Sequence, residues 1–213
     1  MNYSRYGEDG IRIIFGESIE AKVSESIRRY YFFLKASNLP GIIDIIPSFR
    51  SCLIHFDSRQ TSSERLISYL KKSKEKVDKI EIPEPVTHEI PVQYGSEYGP
   101  DMEFVSSYSG LSQEEVIEIH TSKVYTVFAV GFMPGFPFMG TLDKRLYSPR
   151  LETPRVKVPK GSVGLAQLQT GIYPFESPGG WQIIGTTKVH LFNYRQEPYS
   201  LLKIGDRVKF LRE

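Results

Sequence analysis

Nine glycines, seven prolines and the only tryptophan of the chain fall between Gly131 and Gly185. They lie in three blocks: GFMPGFPFMG (131–140), PRLETPRVKVPKGSVG (149–164) and QTGIYPFESPGGWQIIG (169–185). Glycine costs backbone entropy and proline removes an amide donor, so a stretch this rich in both is fixing an unusual backbone path. A flexible linker does not fit. Phe132, Phe136, Phe138, Tyr147, Tyr173, Phe175 and Trp181 are spread along it, and linkers are poor in rings. The stretch reads as a shaped, ordered surface built from short segments.

From VYTVFAVGF (124–132) onward the segments are short, β-rich and punctuated, ending in WQIIG (181–185), KVHLF (188–192) and DRVKFL (206–211). That pattern predicts an all-β barrel or sandwich. The first part of the chain alternates differently. IRIIF (11–15) predicts a strand, and Ser18 a cap for a helix with apolar positions at Ile19, Val23, Ile27, Tyr30, Tyr31 and Leu34. Asn38, Pro40 and Gly41 stop that helix. IIDII (42–46) and CLIHF (52–56) predict a hairpin, and Thr61 with Glu64 a capping box ahead of a second helix. The basic run KKSKEKVDK (71–79) is interrupted by acids and reads as a solvated helix end. The order β-α-β-β-α, with HEIPVQY (88–94) as a last strand, predicts an α+β layer of ferredoxin-like split-βαβ type. PEPVT (83–87) is the hinge, which divides the chain into residues 1–86 and 87–213. Leu111, Ser112 and Glu115 combine a hydrophobic staple with a capping box and predict a helix over 112–121.

Composition removes several function classes. Among 213 residues, 27 basic and 25 acidic side chains leave a net charge of +2, too little for broad capture of nucleic acid. Cys52 is the single cysteine, so no internal disulfide forms, and its SCLIHF context suits a buried hydrophobe. His55, His88, His120 and His190 lie far apart, no group has zinc spacing, and no metal site is expected. Without a secretory segment or an apolar run of spanning length, the chain is expected to be cytoplasmic, with no membrane partner.

Four blocks in order carry a family resemblance: IPVQYGSEYGPDMEFV (90–105), VYTVFAVGFMPGFPFMGTLD (124–143), PRLETPRVKVPKGSVGLA (149–166) and QTGIYPFESPGGWQIIGTT (169–187). They resemble the KipI/PxpB family, also labelled the B subunit of 5-oxoprolinase, allophanate hydrolase subunit 1 or carboxyltransferase subdomain C. The chain departs from the family pattern at Gln93, where many relatives carry cysteine, at Phe138-Met139 and at Leu165-Ala166-Gln167. The resemblance implies a small α+β N-terminal domain followed by a cyclophilin-like β-barrel. It implies a KipA/PxpC-type partner subunit and a third, LamB/YcsF-type protein, together opening 5-oxoproline to glutamate with ATP. It also implies an alternative, a binding module that inhibits autophosphorylation of a sensor histidine kinase. A third possibility is the carboxyltransferase part of a urea-degrading enzyme, which would need other chains, because no biotin-attachment or ATP-grasp segment is present. No GxxxxGK[ST] loop occurs, so ATP is expected to be used by the assembly, with no cofactor bound by this chain alone and no activity in isolation.

Opening a lactam needs cations, oxyanion donors and a proton carrier. Arg150 and Arg155, each stiffened by a preceding proline, are the candidate catalytic cations, with pairing to Glu152 or Glu176 as the structural alternative. His120 is the candidate proton carrier, with a helix-end capping role as its alternative. Gln169, Thr170, Gly171, Gly179, Gly180 and Trp181 are candidate substrate contacts; PGG alone also suits a tight turn. Phe132, Phe136, Phe138 and Met139 are candidate partner contacts, against burial in the barrel core. His190 is expected to point outward from a strand.

Overall fold

A computed structural model describes the whole chain, Met1–Glu213. It divides into two compact units, Met1–Glu84 and Pro85–Glu213.

The first unit contains strands β1 (Asn2–Arg5) and β2 (Gly10–Ile14), helix α1 (Ala21–Ser37), strands β3 (Ile42–Ser48) and β4 (Ser51–Phe56), and helices α2 (Ser63–Lys72) and α3 (Lys74–Lys79). Its antiparallel sheet has the order β1-β2-β4-β3. Alternation along β2 and β4 sends Ile11, Ile13, Cys52, Ile54 and Phe56 into the core. There they meet Ile27, Tyr30 and Leu34 of α1, which recur at helical spacing. Asn38 ends α1 in the left-handed region at φ 41°, as a short amide side chain tolerates.

Two caps differ from the sequence reading. Ser18 does not cap α1: its hydroxyl donates to Glu20 Oε1 at 2.5 Å, and Glu20 is the N-cap. Thr61 is still held by the preceding turn, its amide donating to the Asp57 carbonyl at 3.1 Å. Ser62 therefore caps α2 by accepting from the Arg65 amide, and Glu64 pairs with Arg5. The larger correction concerns residues 88–94. They are no part of this sheet, whose outer edge beside β2 is supplied by β1.

The second unit opens with β5 (Thr87–Tyr94), followed by helices α4 (Met102–Ser109) and α5 (Gln113–Ser122). Strands β6 (Val124–Val130), β7 (Pro137–Gly140), β8 (Arg155–Val158), β9 (Ser162–Ala166), β10 (Gln169–Ile172), β11 (Ser177–Gly179), β12 (Gln182–Thr186) and β13 (Arg207–Arg212) complete it. Seven of these close a barrel in the order β10-β7-β6-β13-β5-β12-β9, with β9 pairing back onto β10. Its one parallel contact joins β5 to β13, from Arg207↔Thr87 to Arg212↔Val92. Burial of Ile90 and Val92 against Val208 and Phe210 makes this pairing the better use of residues 88–94. Strands β8 and β11 form a separate ribbon.

The capping box of α5 forms as the sequence indicates, with the Glu115 amide donating to Ser112 Oγ and the Ser112 amide to Glu115 Oε2. Residues 188–192 do not make a strand; only an isolated bridge, Phe192↔Ser200, forms there. His190 is exposed in that irregular segment and accepts through Nδ1 from Lys160 Nζ at 2.9 Å.

Candidate functional site

Strand β10 sets the geometry of the site, because its residues alternate between the barrel interior and the outer face. Gly171 faces outward and pairs in register with Gly164 on β9. The two together leave a flat spot on the barrel wall. A Cβ at Gly171 would stand 2.9 Å from Phe136 Cζ and 3.0 Å from Trp181 Cζ3, and one at Gly164 3.0 Å from Trp181 Cβ. Only glycine lets the indole of Trp181 lie this close to the strands.

Around that spot Phe136, Val158, Ala166, Tyr173, Trp181 and Ile183 form a second apolar cluster, with Met133 and Phe138 packed against it. Phe136 is its hub. It meets Tyr173, Trp181 and Phe132 edge-on, with ring centroids 5.1, 5.4 and 5.7 Å away, the arrangement that aromatic quadrupoles favour. These rings wall a pocket of about 330 Å³, completed by Arg150, Leu151, Pro154, Pro178, Gly179 and Gly180.

Two devices hold the rim. The Leu151 amide donates to the Gly180 carbonyl at 2.8 Å, and Gln182 Nε2 donates to the Pro149 carbonyl at 2.9 Å. Arg150 is thus tethered on both sides while its own side chain stays exposed. Below, Asp101 is buried and accepts from Arg155 Nη2 at 2.5 Å and from the Ile183 amide at 2.6 Å. Arg155 also donates to the Trp181 carbonyl at 3.4 Å. This clamp fixes the chain where Trp181 leaves the pocket and enters β12.

Only one lining side chain is charged at neutral pH. The Tyr173 phenol is raised above its usual range, first by burial, against the opposing influence of the Trp181 amide, Arg150 and Arg155. It stays a neutral donor. No carboxylate and no imidazole lines the pocket.

The residues singled out from sequence therefore separate into groups. Phe132, Phe136, Phe138, Arg150, Gly179, Gly180 and Trp181 converge on the pocket. Arg155 lies behind it and pairs with Asp101, whereas Glu176 pairs with Lys157 at 3.0 Å. Met139 is fully buried in the barrel core, so it has no surface to offer a partner. Gly171 acts from beneath, as the bed of Trp181. Gln169 does not line the pocket; its Nε2 is buried without a hydrogen-bond acceptor.

His120 and Thr170 lie inside the barrel. Thr170 Oγ1 donates to the Gly164 carbonyl at 3.1 Å, so its oxygen accepts from His120 Nε2–H, also at 3.1 Å. Nδ1 is then the acceptor for the Tyr94 hydroxyl at 2.8 Å. The ring stacks on Phe210 with centroids 4.5 Å apart. Burial alone pushes its pKa down to about 3, so the imidazole is neutral and both nitrogens are occupied. It does not cap the helix end through its side chain.

Among the contributors that escaped the sequence reading are Asp101, Gln182 at the rim and Tyr173 as the pocket's phenol. Asp101 stands 54 residues from Arg155, beyond any local spacing rule; only its place in the block at 90–105 marked it.

The closed mixed barrel is a fold also found in solved structures. The urea carboxylase of Kluyveromyces lactis contains the same fold, with a TM-score of 0.79 at 20% identity over 99% of this chain and 21% of that one. The chain belongs to the carboxyltransferase domain, subdomain C and D, family, whose model matches residues 1–202. A Bacillus subtilis (strain 168) protein, named as the B subunit of 5-oxoprolinase, is 41% identical over 97% of this chain and 90% of its own length. Its Escherichia coli O157:H7 namesake is 39% identical over 82% and 79%. Among solved structures, TTHA0988 superposes with a TM-score of 0.85 at 36% identity over 96% of this chain, which spans 40% of the TTHA0988 chain.

Proposed function

We propose that this chain is the B subunit of a bacterial-type ATP-dependent 5-oxoprolinase. In this reading it acts with a KipA/PxpC-type subunit and a LamB/YcsF-type protein to open 5-oxoproline to glutamate. The observation that carries the reading is its similarity, over nearly the full length of both chains, to the Bacillus subtilis protein of that name.

The pocket chemistry supports a subunit that cannot turn over alone. Lactam opening requires proton transfer, and a general acid or base must reach the reacting atoms. The lining offers a guanidinium, an indole and a raised phenol, none of which accepts a proton near neutral pH. His120 is sealed in the barrel and uncharged. The missing groups come from a partner. Nor does a single guanidinium make a triphosphate site, so ATP is held elsewhere in the assembly.

Mixing experiments test this directly. The isolated chain should release no glutamate from 5-oxoproline with ATP, and activity should appear when both partner types are added. Turnover by the chain alone, or none in any reconstituted mixture, overturns the reading. The kinase-inhibitor alternative draws on Phe132, a ring 70% exposed at the pocket rim. That reading requires the chain to reduce autophosphorylation of a sensor kinase from the same cell.

A further inference from the structure

We propose that the pocket over Gly164 and Gly171 binds a small ring-bearing carboxylate, with Arg150 gripping the carboxylate and the aromatic walls taking the ring. This deepens, and rests on, the 5-oxoprolinase reading by assigning the substrate to one site on this subunit.

The charge pattern is the first support. Three cations close to Arg150 in sequence are committed: Arg145 to Asp143, Arg155 to Asp101 and Lys157 to Glu176. Arg150 has no such acid, and no carboxylate lines the pocket to repel an incoming anion. A guanidinium in that position is matched to a carboxylate, which it can hold through two parallel hydrogen bonds.

Preorganisation is the second support. The tethers at Pro149 and Leu151 fix the approach of Arg150 before any ligand arrives, which lowers the ordering cost of binding. The volume, about 330 Å³, lies at the small end of ligand sites and accommodates a compact ring rather than a nucleotide. Finally, Phe132 is held at φ 68° and left 70% exposed beside Phe136. A bulky residue rarely adopts that backbone conformation, and such outliers concentrate at ligand clamps.

Trp181 is the only tryptophan and sits in the wall, so its fluorescence reports occupancy without a label. The experiment titrates the full chain with 5-oxoproline and with 2-pyrrolidinone, the same lactam ring without the carboxylate. A saturable change is expected with 5-oxoproline. Binding should be at least about tenfold weaker for 2-pyrrolidinone and for Arg150→Ala, the scale of losing a charge-assisted hydrogen bond. Arg150→Lys should recover part of it, and circular dichroism establishes that each variant folds. In the reconstituted enzyme, Arg150→Ala should raise KM for 5-oxoproline by a similar factor. A silent Trp181, or an equal response to 2-pyrrolidinone, overturns the proposal. If the assembly turns over while Trp181 stays silent, the pocket assignment falls and the functional reading stands. If Trp181 responds but no assembly turns over, the functional reading falls and the carboxylate site stands.

Discussion

Thr170 and Gly171 are adjacent on one strand and serve opposite environments. On the inner side, Tyr94, His120, Thr170 and the Gly164 carbonyl form a chain in which each donor meets an acceptor. On the outer side, Arg150 stands over a ring-lined pocket with no acid beside it. The difference shows how to read polar residues in a barrel. A titratable group whose hydrogen-bond capacity is filled by the fold is committed to the fold. A charged group whose neighbours are anchored and whose own head is unmatched is available to a ligand.

The sharpest way to break this comparison is to substitute the two neighbours separately. Gly171→Ala drives a methyl group against Phe136, Trp181 and the Pro137 carbonyl; overpacking of this kind should cost about 1–3 kcal/mol. It should also shift the Trp181 emission. Thr170→Val keeps the shape but strips the acceptor from His120 Nε2–H, and should cost about 1–3 kcal/mol with Trp181 emission unchanged. Urea unfolding and fluorescence on the same samples separate the two; an emission shift in Thr170→Val would show that the two sides are coupled.

A smaller effect follows from pH. His120 has an ordinary pKa of 6.5 when unfolded and about 3 when folded. Below 6.5 the unfolded chain binds a proton that the folded chain refuses, so stability is fully present above 6.5 and lost as pH falls toward 3. The limiting slope is about 1.4 kcal/mol per pH unit. Between pH 6 and 4.5, His120→Gln should flatten this dependence relative to the wild type; parallel curves would mean that His120 takes a proton in the fold. The mildest test sits on the outer rim. Phe132→Gly relieves the backbone at φ 68° and should stabilise the chain by about 1 kcal/mol, while lowering turnover in the assembled enzyme. Loss of stability would mean that the ring packs more than its exposure indicates.

Local chemistry is legible in the chain alone. The Ser112–Glu115 box, the 42–56 hairpin and the aromatic blocks all depend on residues a few positions apart. Where two hydroxyls compete for one cap, as at Thr61 and Ser62, the preceding turn decides, and spacing alone does not reveal it. Residues 88–94 carry the same alternation in either sheet. Their place in the barrel depends on Val208 and Phe210, far along the chain. The pocket divides in the same way. Its rings, Arg150 and Gly179-Gly180 stand out as a cluster of unusual residues. The commitment of Arg155 to Asp101 and the sealing of His120 require the closed barrel to bring distant segments together.

The parallel pairing of β5 with β13 also bears on how the barrel is made. It joins segments so remote that the nearby bond from the Val86 amide to Asp206 spans 120 residues. Loop closure over such a distance must precede any gain from the contact, which slows folding. During synthesis β5 emerges long before its barrel neighbours β12 and β13, leaving both of its edges unpaired and Ile90 and Val92 uncovered. The barrel can seal only when residues 207–212 arrive, so the nascent chain passes through a sticky, open stage in which an early companion would have most to protect.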